Sequence, residues 1–279
     1  VAVKNYFLPQ SLDEAVGLLA EHGPSLLVMA GGTIAMPLIN EGISMPEQVL
    51  GLRQAGLSYF KRTNGSITIG ATTPLSQLLG QEVAPLLQEA ARHTAAWAIR
   101  NMATVGGNLF APPPAGDVAV ALLALDARVK LVSARGVRVV PLAEFYTGFM
   151  TNDLQPDELL TEIQAPLPRG KTVYLKYGRK HANTPSIVTV AAHLIWQGSK
   201  IKEARLALNG VGPHPLRARK AEAALVGSAL DAKTIATAAS AATEESDPFT
   251  DAVATEWYRR QMVGVYVSRA LSQLAGEEK

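Results

Sequence analysis

The stretch Ile99-Arg-Asn-Met-Ala-Thr-Val-Gly-Gly-Asn108 decides how this chain is read, together with an earlier one, Leu26-Leu-Val-Met-Ala-Gly-Gly-Thr-Ile34. In each, a diglycine follows directly on an apolar or β-branched residue. Without a Cβ, glycine lets the backbone turn sharply at positive φ and lets a ligand approach the main chain. Successive N–H groups in such a turn form a concave nest for phosphate oxygens, and two nests in one domain can grip the two ends of a pyrophosphate. Either pair alone serves equally well as a tight turn with no ligand.

Working outward, the N-terminal side opens with a helix: Ser11 caps it, Glu14 completes a capping box, and Leu12, Ala15, Val16 and Leu19 form one apolar face before Gly23. Residues 26–30 are short and apolar and read as a buried strand; a further segment covers residues 34–40. A second region begins near Leu57, with a strand at 66–71, Pro74 in the first turn of a short helix, and a longer helix at 85–99. Past Asn108 comes the stiff Ala111-Pro-Pro-Pro-Ala-Gly116, and then Asp117. Asp117 fits two compatible roles: N-cap of a helix over 118–125, or acceptor for a ribose or ribityl hydroxyl. Residues 128–133 and 137–140 flank Arg135-Gly136 as a hairpin.

Composition changes at Pro166-Leu-Pro-Arg-Gly170, which marks a boundary. Three strand-like runs follow at 173–177, 187–196 and 201–209, then helical patterns at 217–226, 232–243 and 255–274. Strands followed by helices imply an α+β domain, an antiparallel sheet with helices on one face.

The whole chain narrows the function classes. Its 279 residues suit two modest domains, 48% are hydrophobic, 18% charged, and the net charge is +2. No basic block of the kind nucleic acid needs is present, and the apolar runs are too short for a membrane span. No cysteine occurs, which excludes disulfides, Cys-ligated zinc and an iron–sulfur cluster held by this chain alone, and is compatible with a reducing cytoplasm. Residues 1–9 lack the pattern of a secretory signal. Gly170-Lys171-Thr172 lacks the first glycine of a P-loop, because Ala165 stands there. Gly210-Val211-Gly212 has Pro215 where a dinucleotide fingerprint needs its third glycine. The histidines at 22, 93, 181, 193 and 214 are dispersed, and there is no Gly-x-Ser-x-Gly. Binding turns without an acid–base or nucleophilic set point to a cofactor carrier.

On these residues the chain resembles the FAD-binding medium subunits of the xanthine dehydrogenase and carbon monoxide dehydrogenase family of molybdenum hydroxylases, over essentially its full length. That family carries Ala-Gly-Gly-x-[Ser/Asp], here Ala30 to Ile34, and Ile-Arg-Asn-x-x-Thr-[Ile/Val]-Gly-Gly-Asn, here ending at Asn108, with an Asp shortly after. The C-terminal part matches through Tyr174-Leu-Lys-Tyr-Gly-Arg-Lys180 leading into Ile187, and Leu208-Asn-Gly-Val-Gly-Pro213.

The resemblance implies an α+β fold. An FAD-binding domain of the vanillyl-alcohol oxidase/MurB type, with subdomains over 1–56 and 57–168, is followed by an α+β flavoprotein domain over 169–279. It also implies that the backbone of Val28, Met29, Ala30, Gly31, Gly32, Thr33 and Ile34 contacts the adenine–ribose–diphosphate portion of FAD. Thr104, Gly106, Gly107, Asn108, Ala111 and Asp117 are then expected around the diphosphate and ribityl groups, Ile187 beside the isoalloxazine, and Lys176 near the cofactor. Partners follow from the same resemblance: a large molybdopterin-binding subunit and a small 2Fe-2S subunit, joined as a dimer of heterotrimers in the cytoplasm. Electrons are expected to pass from the clusters through FAD to a terminal acceptor. A stand-alone flavin oxidoreductase of the same superfold and a scaffold that has lost FAD are the rival readings.

Two departures stand out. Ile34 replaces the family's Ser or Asp, removing one side-chain hydrogen bond of about 1 kcal/mol while leaving the backbone nest. The lack of cysteine excludes the 4-hydroxybenzoyl-CoA reductase branch, which carries a four-cysteine iron–sulfur loop in this subunit.

Overall fold

A computed structural model describes residues 3–276; residues 1–2 and 277–279, the ends of the first and third expected domains, lie outside them. The first helix, Leu12–His22, begins as its sequence predicts, with Ser11 Oγ accepting from Glu14 N at 3.1 Å and Gly23 closing it at φ 56°. The Glu14 carboxylate reaches one residue further back than a capping box requires and accepts from Gln10 N at 2.7 Å. The buried Ala15, Val16 and Leu19 pack this helix on a small parallel sheet of Asn5–Phe7, Gln48–Gly51 and Leu26–Met29, with Gln48–Gly51 in the middle.

A second, antiparallel sheet runs in the order Phe60–Thr63, Ser66–Gly70, Leu159–Pro166, Arg128–Ser133, Gly136–Pro141. The hairpin turn is Ala134-Arg135, and Gly136, with φ 140°, opens the return strand opposite Ser133. Under the sheet lies the helix Asp117–Ala124, all eight residues of which are buried.

The single helix expected over 85–99 is instead two, Pro85–His93 and Trp97–Arg100. Ala95 adopts φ 48°, which no α-helix passes through. The break is held by Arg100, whose Nη1 donates to the carbonyls of Thr94 at 2.9 Å and Ala95 at 2.7 Å. Those carbonyls have lost the helical partners an unbroken helix would supply.

The C-terminal sheet contains Lys171–Gly178, Ser186–Gln197, Lys200–Asn209 and a short Leu216–Arg217, paired antiparallel in that order. The helices Arg219–Leu225, Ala232–Glu245 and Glu256–Ala275 build a core on one face with Val188, Val190, Leu206 and Leu208. The other face is covered too. Tyr174, Ala191 and Ala207 belong to the same core as the helix Asp117–Ala124. That is why the first nine residues of Ser186–Gln197 are buried without alternation, as in a strand with both faces covered. Among the described residues no helix is long and apolar enough to cross a membrane.

Candidate cofactor site

The strand Leu26–Met29 delivers the chain into the first diglycine turn, where Gly32 takes φ +72°. Gly31 lies so close to the second motif that a Cβ there would stand 2.0 Å from the Met102 carbonyl oxygen. The two turns therefore touch backbone to backbone. The second turn is held independently: Val105 N donates to Thr73 O and Gly106 N to Ala71 O, each at 2.9 Å. Thr104 Oγ1 accepts from Gly107 N at 3.0 Å and starts the short helix Val105–Leu109. A Cβ on Gly106 would meet Ala71 Cβ and O at 2.8 Å. Among the described residues, the N–H groups of Gly32, Thr33 and Ile34 find no backbone acceptor. Donors without acceptors beside glycines that keep the approach open form a cradle suited to an anion such as a diphosphate.

The turns face a cleft of about 380 Å³. Val28, Met29, Ala30, Gly31, Gly32, Thr33, Ile34, Thr104, Gly106, Gly107 and Asn108 all line it. So do residues the motifs did not reveal, namely Leu38, Leu52, Phe110, Leu154, Glu158, Leu159 and Leu160. Leu159 and Leu160 belong to the strand Leu159–Pro166, which only the assembled sheet places beside the nests, and the other five carry no local motif. Ile34 is 38% exposed at this cleft, next to the similarly exposed Val28, so its side chain extends an apolar wall.

Four expected site residues lie elsewhere. Ala111 borders a small cavity of about 70 Å³ with Tyr146 and His214; Phe110 lines both this cavity and the first cleft. Lys176 and Ile187 line a second cleft of about 640 Å³ with His93, Tyr177, Arg179 and Tyr258. Asp117 is buried between the sheets: Oδ2 accepts from Lys176 Nζ at 2.7 Å and Oδ1 from Ser186 Oγ at 2.9 Å. Burial pushes the Asp117 pKa up, and the Lys176 ammonium opposes that shift.

The N-cap role expected of Asp117 falls to another residue. Gly116, at φ 93°, occupies the cap position without a side chain, and Asp117 is already helical. The capping oxygen comes from Asn108, whose Oδ1 accepts from Val118 N at 2.9 Å and Ala119 N at 3.3 Å. Asn108 thus ties the second nest to the buried helix. Asn108→Ala is expected to cost about 1–2 kcal/mol, read as a lower denaturation midpoint. Asn108→Asp, which keeps the acceptor, should retain most of it.

One wall of the first cleft carries an ion pair. Arg138 grips Glu158 with Nε and Nη2, both at 2.7 Å, and also contacts Asp153. Arg138 holds the Glu158 carboxyl below its ordinary pKa. A depressed carboxylate adds stability above its unfolded pKa and loses it as pH falls through the folded value. Glu158→Gln should therefore melt below wild type at neutral pH, and the gap should close as pH falls from about 5 to 3. A gap independent of pH would assign the effect to packing.

Comparison with known proteins places this geometry. Residues 2–168 match the family model described as the FAD binding domain in molybdopterin dehydrogenase, and residues 173–274 match the CO dehydrogenase flavoprotein C-terminal domain. The glyceraldehyde dehydrogenase medium chain of Sulfolobus acidocaldarius is 32% identical, covering 97% of this chain and 98% of that one. The carbon monoxide dehydrogenase medium chain of Afipia carboxidovorans is 30% identical over 99% of this chain and 98% of its own. Among solved structures, a carbon monoxide dehydrogenase from Hydrogenophaga pseudoflava superposes with a TM-score of 0.94 at 30% identity, covering 99% of this chain and 98% of that one. With the paired diglycine nests and the two-part architecture in place, the chain belongs to the xanthine dehydrogenase/carbon monoxide dehydrogenase family of molybdenum hydroxylases, as one of its FAD-binding medium subunits.

Proposed function

We propose that this chain carries electrons through FAD inside a heteromeric molybdopterin-dependent dehydrogenase. In this reading electrons arrive from 2Fe-2S clusters on a small partner subunit, which receives them from a large molybdopterin-binding subunit, and leave for a terminal acceptor. The observation that carries it is the contact of the two diglycine turns through Gly31, with unpaired N–H groups opening on one cleft. Bound there, FAD supplies the redox chemistry.

The chain's own residues bind, orient and shield. The backbone of Val28 to Ile34 and the turn from Thr104 to Asn108 hold the diphosphate end. Lys176, Ile187 and Asp117 form the flavin-ring end, with Ala111 between. Residues 1–56 and 57–168 act as the two halves of the cofactor domain, and 169–279 closes over it. We place the assembled enzyme in the cytoplasm as a dimer of heterotrimers.

Titrating the purified chain with FAD tests the core of this reading: saturable, near-stoichiometric binding is expected, and its absence leaves a scaffold. Affinity purification of the tagged chain from its native host should bring down one large molybdopterin protein and one small 2Fe-2S protein. Recovery of the chain alone, holding FAD, would favour a stand-alone flavoenzyme.

A further inference from the structure

One fully buried charge has no part in either cleft. Arg259, on the helix Glu256–Ala275, is 0% exposed. Its Nη2 donates to both carboxylate oxygens of Asp251 at 2.8 Å. Its Nη1 donates to three backbone carbonyls, those of Ser186 at 3.0 Å, Ile187 at 2.8 Å and Gly210 at 2.9 Å. The guanidinium also stacks over the Phe249 ring at 4.9 Å.

The place of those carbonyls explains the arrangement. Ser186–Gln197 pairs with Lys200–Asn209 only from Thr189 onward, opposite Asn209. Ser186 and Ile187 therefore run past the end of the neighbouring strand, where the chain turns away at Gly210, φ +77°. Buried carbonyls there would have no ladder partner. Arg259 substitutes for the missing strand, and its planar fork spans both strand ends in a way a lysine ammonium does not.

What it holds in place is chemically specific. Ser186 Oγ donates to Asp117 Oδ1, and Thr189 Oγ1 donates to Ser186 Oγ at 2.8 Å, which fixes the direction of the serine proton. Asp117 in turn holds Lys176, whose Nζ also donates to His93 O at 2.9 Å. Ile187, one residue on from Ser186, lines the same cleft as Lys176. We propose that Arg259 is a positioning residue for the flavin-ring end of the site, setting the Asp117–Lys176 pair and Ile187 through the backbone of Ser186–Ile187. The role assigned to that end rests on the FAD reading above; the positioning does not.

The test compares Arg259→Lys, Asp251→Asn and Ser186→Ala with Leu271→Ala, a core truncation on the same helix that leaves Arg259 untouched. In the FAD-free chain, the rate of Lys176 acylation is read by peptide mass spectrometry. Arg259→Lys and Ser186→Ala should raise it severalfold, and Asp251→Asn, which loosens Arg259 without removing it, should raise it less. Leu271→Ala should lower the melting temperature and leave that rate unchanged. In the FAD-loaded chain, the visible flavin band and reduction potential should shift in the same direction in Arg259→Lys and Ser186→Ala. Unchanged Lys176 reactivity in Arg259→Lys or, should that variant not fold, in Asp251→Asn overturns the proposal. Raised reactivity with no FAD bound by any form, wild type included, keeps the positioning and sinks the flavin reading.

Discussion

Gly31→Ala is expected to weaken FAD binding by about 100-fold or more. The new Cβ would stand 2.0 Å from the Met102 carbonyl oxygen and 2.8 Å from its carbon, which are backbone atoms with no rotamer to escape into. Reaching van der Waals separation requires the two turns to part by more than about 1 Å. Overpacking of this kind costs roughly 1–3 kcal/mol in stability. Binding suffers further, because the N–H groups of Gly32 to Ile34 are then displaced from the diphosphate we propose they hold, and hydrogen bonds to charged groups contribute about 1.5–3 kcal/mol each. Since each 1.4 kcal/mol is tenfold in affinity, two such losses reach about two decades or more. Fluorescence titration with FAD measures this directly; affinity within a few-fold of wild type would mean that the turns do not grip the cofactor together.

The second large effect belongs to Asp117→Ala. Asp117 and Lys176 have side chains 7% and 6% exposed, 2.7 Å apart. Cutting one partner from a buried pair strands the other charge and typically costs about 3–5 kcal/mol, more than the pair itself contributes. The melting temperature should fall by roughly 10 °C for a domain of this size. The double substitution Asp117→Leu with Lys176→Met removes both charges and should recover most of that loss while taking the Lys176 cation out of the second cleft. Stability and cofactor properties would then separate, which a purely structural pair would not show. If Asp117→Ala melts like wild type, the pair is solvated and the buried geometry is wrong.

Much of this was legible beforehand, for physical reasons that differ by residue. The diglycine turns could be read because only glycine meets their local requirement, so identity alone carried the signal. The helix at Ser11 was equally plain, since a cap is a contact between near neighbours. The strands Gln48–Gly51 and Leu159–Pro166 were not recognised, although each sits in the middle of its sheet. A strand's register depends on partners far away in sequence, and Leu159–Pro166 lies beside Ser66–Gly70 and Arg128–Ser133. Asn108 and Asp117 show the same limit at the site. Both stand out in the sequence, but the capping role expected of Asp117 belongs to Asn108, because Lys176 and Ser186, 59 and 69 residues further on, draw the Asp117 carboxylate away. Arg259 gave no signal at all: an arginine on a helix reads as surface until the fold encloses it.

The helix Asp117–Ala124, apolar on every side after its first residue, has a consequence for how this protein is made. One side of it packs against strands that follow it in the chain, those carrying Tyr174, Ala191 and Ala207. A nascent chain that has emerged only to the boundary near residue 168 therefore presents a sticky, unburied helix beside its cofactor cradle. Folding of residues 1–168 cannot finish ahead of translation, and a fragment stopped there should recruit chaperones or aggregate. The strands over 171–209 are thus less a cover added to a finished unit than the second half of its core.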